Sequence, residues 1–468
     1  MQHYFKTGKL LLLTTILSFL SCSDDDSNSP KYTAEQGEEL SGGATTVFDT
    51  SVNAFGKIAQ NLNSDLDTDF FVGNSLFNQN WVIAPASTTA RDGVGPLFNA
   101  RSCSTCHFKD GRGRSPLHNG ELNHGLLIRL SVPGVDAHGG PLAEPNYGGQ
   151  LQDQSTFHLE TEGGIEITYE NKVVTYPDGK SVTLRKPNYT LTNLLYGEIS
   201  DNVMMSPRVG NQMIGLGLLE AIPEATILAN VDLTDADGDG VSGKANSVWD
   251  IESQSMKLGR FGWKSNQPSL LQQVAGAYNG DMGITSYLFP NENCPPGVDC
   301  DEIPNGGTPE IPNDDLVSTV IYASTLAVPA RRNWEDQDVL AGKELFKTAN
   351  CTACHIAKFQ TGNHSIEALA NQTIRPYTDL LLHDMGDELA DNRPDFDATG
   401  NEWRTQPLWG IGLIETVNKH TNLLHDGRAR NVEEAILWHG GEAENSKQKF
   451  MNFTEEEREQ VLKFINSL

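Results

Sequence analysis

The chain has 468 residues, with 62 acidic against 34 basic side chains and a formal net charge of −28. A surface that acidic repels a phosphate backbone, which excludes nucleic acid as a partner. With 38% hydrophobic residues, 44 Gly and 22 Pro, the chain is long enough to bury a sizeable core in a loop-rich globular fold of two or three domains.

At the N-terminus, Lys6 and Lys9 precede an apolar run from Leu10 to Leu20, followed by Ser21 and Cys22. Residues 1–21 therefore read as an export signal peptide, too short to span a bilayer. A cysteine straight after the small residue predicts lipid attachment at Cys22, with ordinary secretion as the alternative. The expectation is an exported lipoprotein, periplasmic or on the cell surface, that meets the bacterial membrane by its lipid anchor only. Residues 22–45, with Asp24, Asp25, Asp26 and many Ser, Gly and Thr, read as a flexible tether.

Two motifs carry the chemistry: Cys103-Ser104-Thr105-Cys106-His107 and Cys351-Thr352-Ala353-Cys354-His355. A c-type haem needs two thiols spaced to meet its two vinyl groups and an imidazole directly after them to ligate iron, which CxxCH supplies. One copy alone would also suit a zinc half-site or a thiol redox pair. Two copies, each with Leu-Phe separated by four residues from the first cysteine (Leu97-Phe98 before Cys103 and Leu345-Phe346 before Cys351), read as an internal repeat and favour two covalently bound haems. Of the seven cysteines, Cys22 and the four motif cysteines leave Cys294 and Cys300, which are expected to form a disulfide in an oxidising compartment.

Further along, residues of about 125–200 read as a β-rich insertion, with strand-like Ile165 to Tyr169 and Val182 to Leu184 around the turn Pro177-Asp178-Gly179. Asp235, Asp237 and Asp239, followed by Gly240, match the alternating ligands of a calcium loop over 235–246. Its twelfth position is Asn246 rather than Glu; Asp232 is a compensating candidate, and a solvated Asp/Gly turn is the alternative. The segment 334–348 predicts a helix leading into the second motif, and Thr454 to Glu457 a capping box opening a terminal helix. Ile214 to Ile222 echoes Trp409 to Val417, and Leu270 to Asp281 more weakly echoes Val432 to Glu442. The expected fold is mainly α: two cytochrome c-like haem domains, 46–330 with the β insertion and 331–468.

The distal side of each haem decides its duty, a second strong ligand favouring electron transfer and an open position favouring peroxide chemistry. Met385, thirty residues after His355, is placed like a thioether ligand to the second iron. For the first iron His118, His124, Met205 and Met213 are candidates, none singled out by spacing.

The second half, with Trp403-Arg404-Thr405-Gln406-Pro407-Leu408 and Leu424-His425-Asp426-Gly427-Arg428-Ala429, resembles the electron-transfer domain of bacterial di-haem cytochrome c peroxidases and their MauG relatives. From about Ala54 the chain resembles the di-haem oxidoreductase family, through Asp92 to Asn99, Tyr147 to Asp153 and Trp438 to Ala443. The resemblance implies Met385 as ligand of the second haem, Gln273 and Asp281 as catalytic residues at the first, with Asp where the peroxidases carry Glu, and Trp263 as a relay between haems. The run Trp438 to Glu442 departs from the peroxidases, so His439 and Glu442 are alternative distal residues over the second haem.

The expected function is a di-haem c-type oxidoreductase, a peroxidase taking electrons at the C-terminal haem from a donor protein or small redox carrier and reducing peroxide or another small oxidant at the N-terminal one. Alternatives are an electron carrier with both irons six-coordinate, in which His124 or a Met closes the first site, and a surface redox or iron-handling binding protein.

Overall fold

The structure is a computed structural model that describes residues 1, 31–122, 124–300 and 302–468. The predicted signal peptide beyond Met1, Cys22 and the first part of the tether lie outside the described residues. Among the described residues, no helix is long and apolar enough to cross a membrane.

The helices that frame the molecule are α1 (Asp67–Asn78), α2 (Leu270–Met282), α3 (Asn313–Thr325), α4 (Gln337–Thr348), α5 (Val432–Trp438) and α6 (Glu455–Ser467). Their starts follow from sequence. Asp336 accepts from the N–H groups of Asp338 and Val339 to open α4, Ser269 and Asn431 cap α2 and α5, and Thr454 with Glu457 forms the predicted capping box of α6.

Two of these pairs repeat one packing motif. α1 lies on α3 at Gly73, where a Cβ would overlap the carbonyl oxygen of Ser318 and the Tyr322 side chain; α4 lies on α6 at Gly342, where a Cβ would overlap the carbonyl of Gln460 and the Phe464 side chain. Four residues past each glycine stands a buried phenylalanine. Phe77 packs 5.3 Å from the Tyr322 ring and 6.2 Å from His107, while Phe346 packs 5.2 Å from Phe464 and 6.1 Å from His355. The duplicated unit is therefore Gly-x-x-Leu-Phe, at Gly73 to Phe77 and Gly342 to Phe346. The predicted frame at Leu97-Phe98 is corrected: those residues form a short strand paired with Gln154–Ser155. The segment between Asn78 and Ser102 has been inserted between helix and motif in the first copy, displacing the true Leu-Phe from its cysteine.

The second predicted repeat is structural. Gly215 (φ 70°) and Gly410 (φ 75°) each adopt the left-handed turn that opens a short helix, a conformation costly for other residues. Two residues on, Gly217 abuts the Ser324 carbonyl and Gly412 that of Asn466. The two turns also meet: a Cβ on Gly215 would overlap the Trp409 ring, and one on Gly410 would strike Ile214 and Phe55. The copies are thus packed back to back in one core containing Ile214, Leu218, Phe346, Trp409 and Phe464.

The β insertion consists of β1 (Leu126–Val135), β2 (Gly164–Thr175), β3 (Ser181–Thr192) and β4 (Met204–Val209). β1 pairs antiparallel with β4, and β2 with β3 in a hairpin running from Gly164↔Thr192 to Thr175↔Ser181. Its tip reaches the opposite half: Asp178 pairs with Arg458, and the Tyr176 hydroxyl donates to Glu433 Oε1 at 2.8 Å. Two short strands of the second half, β5 (Leu382–Asp384) and β6 (Glu402–Arg404), pair antiparallel beside the second motif.

Two expectations are corrected. The chain is 27% helical and 19% strand, spread over many small sheets, so it is not mainly α; the insertions between cytochrome-like helices form short β ladders and loops that carry little helical periodicity. Residues 31–45, assigned by composition to the tether, are docked: Glu38 is 1% exposed and pairs with Arg331 and, at 2.6 Å, with Lys343. The buried Arg331 and the half-buried Lys343 make a polar segment part of the fold. The pair Cys294–Cys300 is a disulfide.

If the helix crossings set the frame, Gly342→Val should destabilise the protein by about 1–3 kcal/mol or more by overpacking. Chemical denaturation checks this; an unchanged midpoint would mean that α4 and α6 separate at no cost.

Candidate functional site

Cys103–Cys106 form a single helical turn and Cys351–Ala353 a turn of 3-10 helix. Both motifs open into one continuous cavity of about 580 Å³ running between the halves. None of the four motif cysteines is in a disulfide. Burial pushes Cys103 and Cys351 up to about 12, and Cys106 and Cys354 upward as well, so all four stay protonated at neutral pH. Among the described residues, the group of three or more His, Cys, Asp or Glu close enough to share an ion is Asp235, Asp237 and Asp239, so the motif cysteines do not converge on a zinc site.

Each motif histidine is held in one tautomer. His107 Nδ1–H donates to the Asn211 carbonyl at 2.6 Å and His355 Nδ1–H to that of Tyr377 at 2.9 Å. A carbonyl can only accept, so Nε2 carries the lone pair, and both rings line the cavity. Burial lowers His107, and holds His355 down at about 4, keeping both imidazoles neutral and able to ligate.

The first half of the cavity is walled by α2, which presents Gln273, Ala277, Gly280 and Asp281. At Gly280 a Cβ would meet nothing, leaving that wall open. Asp281 is held from outside: Asn99 and Ala100 N–H donate to its carbonyl, and the Gln150 amide donates to its Oδ1 at 3.0 Å. The second half is walled by α5, ending in His439, whose Nδ1–H donates to the Ala435 carbonyl at 2.7 Å. Met385, directly after β5, lines the same region.

Between the halves stands an aromatic partition. The Trp263 indole N–H donates to the Val209 carbonyl at 2.8 Å, and the Arg112 guanidinium lies 4.9 Å from its ring. His425 meets Trp263 edge-on at 6.4 Å and stacks on Trp403 at 3.9 Å, 11° from parallel. Lys264 Nζ lies 4.6 Å from the Trp403 ring. That lysine is fully buried and donates to Asp391 Oδ1 at 2.8 Å and to the carbonyls of Arg393 and Thr399. Asp395 takes Arg208 at 3.0 Å and Arg393 at 3.1 Å.

This cluster carries more cations than anions, and Arg208, Arg129 and Arg404 line the cavity. Arg208 Nη2 and Arg404 Nη1 are buried with no hydrogen-bond partner among the described residues. Orphaned guanidinium N–H groups on a cavity wall call for anions, as the carboxylates of haem would provide. With paired thiols and fixed imidazoles on the apolar walls, the residues fit two haems.

Of the expected site residues, Gln273, Asp281, Trp263, Met385, His439 and Met213 line the cavity. Others do not. His124 sits behind the first motif, its carbonyl accepting from the Cys106 thiol and its Nε2 3.7 Å from Asp153, so it is corrected as a distal residue. Glu442 is likewise corrected: its carboxylate is taken by Ser242 at 2.6 Å and by His383 at 2.9 Å. His118 is exposed and Met205 packs in the sheet cluster. Asn246 is consumed by the Lys264 and Asp395 carbonyls, leaving the calcium loop without its twelfth position, although the three aspartates gather within 4.8 Å of one another. Sequence reasoning assigned no role to His425, Trp403, Lys264 or Arg208; His425 and Trp403 lay in runs quoted only for their resemblance.

Two CxxCH motifs facing one cavity across an aromatic partition define a di-haem redox protein. The chain belongs to the di-haem oxidoreductase family: the family model described as "Di-haem oxidoreductase, putative peroxidase" matches residues 36–468, nearly the whole chain, and its cofactor is haem. No curated protein and no solved structure matches it.

Because Lys264 is fully buried and donates to Asp391 and to two backbone carbonyls, Lys264→Met should cost about 1–3 kcal/mol through the acceptors it leaves unpaired. Urea titration measures it; wild-type stability in the variant would show that the cluster is not held as an ion pair.

Proposed function

We propose that this protein is an exported di-haem c-type peroxidase, in which the first site handles peroxide and the second receives electrons. The observation that carries the reading is a chemical difference between two matched walls. Counted from their caps, Ser269 and Asn431, α2 and the α5 segment line the cavity at the same offsets. Four residues past the caps the first wall has Gln273 and the second Ala435, and the first helix runs on to Asp281 where the second has already ended at His439. Of the side chains these two helices turn into the cavity, an amide and an acid are found at the first motif only.

Thioether bonds from Cys103 and Cys106, and from Cys351 and Cys354, would hold haems ligated by His107 and His355; when bound, they supply one-electron redox chemistry and an iron to which peroxide can bind. Reduction of peroxide to water takes two electrons and two protons. The Gln273 amide orients the small polar oxidant, and Asp281, positioned by Gln150, moves protons during O–O cleavage. Trp263, with the His425–Trp403 stack, gives electrons a short route between the sites. Arg208 and Arg404, whose buried N–H groups lack partners among the described residues, would pair with the haem carboxylates. Lipid attachment at Cys22 and a periplasmic or cell-surface location belong to the same reading, supported by the disulfide. The donor would be a soluble redox protein or small carrier.

Electronic and EPR spectroscopy of the oxidised and half-reduced holoprotein, with and without peroxide, tests this. One iron should be high-spin and respond to peroxide. Gln273→Leu and Asp281→Asn should each lower kcat/KM for peroxide by about 10²-fold or more. Two low-spin, inert haems would leave an electron carrier instead.

Asp235, Asp237 and Asp239 are proposed to hold calcium, with Asp239 also accepting from Asn350, the residue before Cys351. Calcium should raise Tm by a few degrees, and a chelator or Asp237→Asn should abolish the gain; no shift on titration would identify a solvated turn.

A further inference from the structure

The same register has a consequence for the second iron. Eight residues past its cap, α2 presents Ala277; eight residues past its own cap, the α5 segment presents His439, and both line the cavity. A methyl group at the first site is thus replaced by an imidazole at the second.

Three histidines on this cavity share one device. His107, His355 and His439 each donate Nδ1–H to a backbone carbonyl, at 2.6, 2.9 and 2.7 Å. This leaves Nε2 as a lone-pair donor on a ring whose orientation is fixed, the usual preparation of an imidazole for a metal. His425, by contrast, is stacked within the partition. His439 also lies within electrostatic reach of His355.

The competitors are otherwise engaged. Glu442 is bound by His383 and Ser242, and Lys447 pairs with Glu444 at 2.6 Å. Met385 packs against both the main core and the cluster that holds Trp263 and Trp403, which places it at the partition. The backbones of Met385 and Gly440 are in contact, so the thioether and the imidazole approach from adjacent segments.

We infer that His439 Nε2, rather than the Met385 thioether, is the sixth ligand of the second haem iron, which makes that centre bis-histidine. The inference rests on the di-haem reading above. An imidazole in place of a thioether lowers the reduction potential of the centre, so the second haem is a stronger reductant than a Met-ligated one. Met385 is then an apolar spacer between that centre and Trp403.

The test uses the full-length holoprotein, His439→Gly and Met385→Leu, each with its haem content and circular dichroism checked. Low-temperature EPR and the long-wavelength electronic spectrum are read, with peroxide absent. In the wild type we expect one low-spin centre and no thioether-to-iron charge-transfer band. His439→Gly should convert that centre to high-spin, and added imidazole should restore it; Met385→Leu should leave it low-spin. Should His439→Gly fail to retain its second haem, His439→Met is used, with a raised potential and a new thioether band expected. A low-spin centre that survives in His439→Gly but disappears in Met385→Leu would overturn the assignment while leaving the di-haem reading intact. Two high-spin centres in the wild type would overturn both the closed second site and His439 as its ligand.

Discussion

A helix can approach another closely enough to touch its backbone only where it lacks a side chain, and this constraint sets the position of both motif histidines. At Gly73 and Gly342 the crossing helices meet carbonyl to Cα. The phenylalanine one turn later is thereby driven against the imidazole of the following CxxCH. Each histidine is held from both sides, by an aromatic ring and by a carbonyl on Nδ1. The entropy of ordering those rings is spent in folding, so the metal-facing nitrogens are prepared before any metal arrives.

The same close approach governs how the halves join. The left-handed glycine turns at Gly215 and Gly410 let Trp409 and Ile214 interlock, and the β2–β3 hairpin of the first half clamps the second through Asp178, Tyr176 and Arg185. Two cavities consequently become one. The partition between them is left to Trp263, His425 and Trp403, backed by a buried ion cluster with surplus positive charge. Such a cluster is costly to bury without anions. Its expense is intelligible where haem carboxylates sit against it.

The two CxxCH motifs were legible because each is a pattern local in sequence. The glycine turns were legible too, since a left-handed backbone restricts the residue wherever it occurs. Leu97-Phe98 misled because spacing to the cysteine was preserved by coincidence, while the glycine that makes the crossing lies at Gly73, beyond a long insertion. Glu38 and the segment around it were read as solvated because nothing local reports Arg331 and Lys343, which lie some three hundred residues away. Glu442 and His124 carried the right chemistry, but their partners, His383 with Ser242 and Asp153, are supplied only by the tertiary fold. His425 was hidden for the same reason: a stacked imidazole and a ligating one are identical in sequence.

Duplication gives two sites that begin alike, and the divergence is concentrated where it alters chemistry without altering the frame. The caps, the glycine crossings and the Nδ1 anchors are kept in both halves, since each is required to place an imidazole. On the walls, α2 presents Gln273 and Ala277 four and eight residues past its cap where α5 presents Ala435 and His439, and only α2 runs on to an acid, Asp281. Each exchange moves polarity from one site to the other: an acid and an amide at the first, a Lewis base at the second. An iron offered a strong sixth ligand is closed to substrate, and one offered only a methyl group and an acid is open to it. Because both sites share one core, this redistribution of a few side chains would be sufficient, on the proposed reading, to turn two equivalent cytochrome-like units into an electron entrance and a reaction chamber.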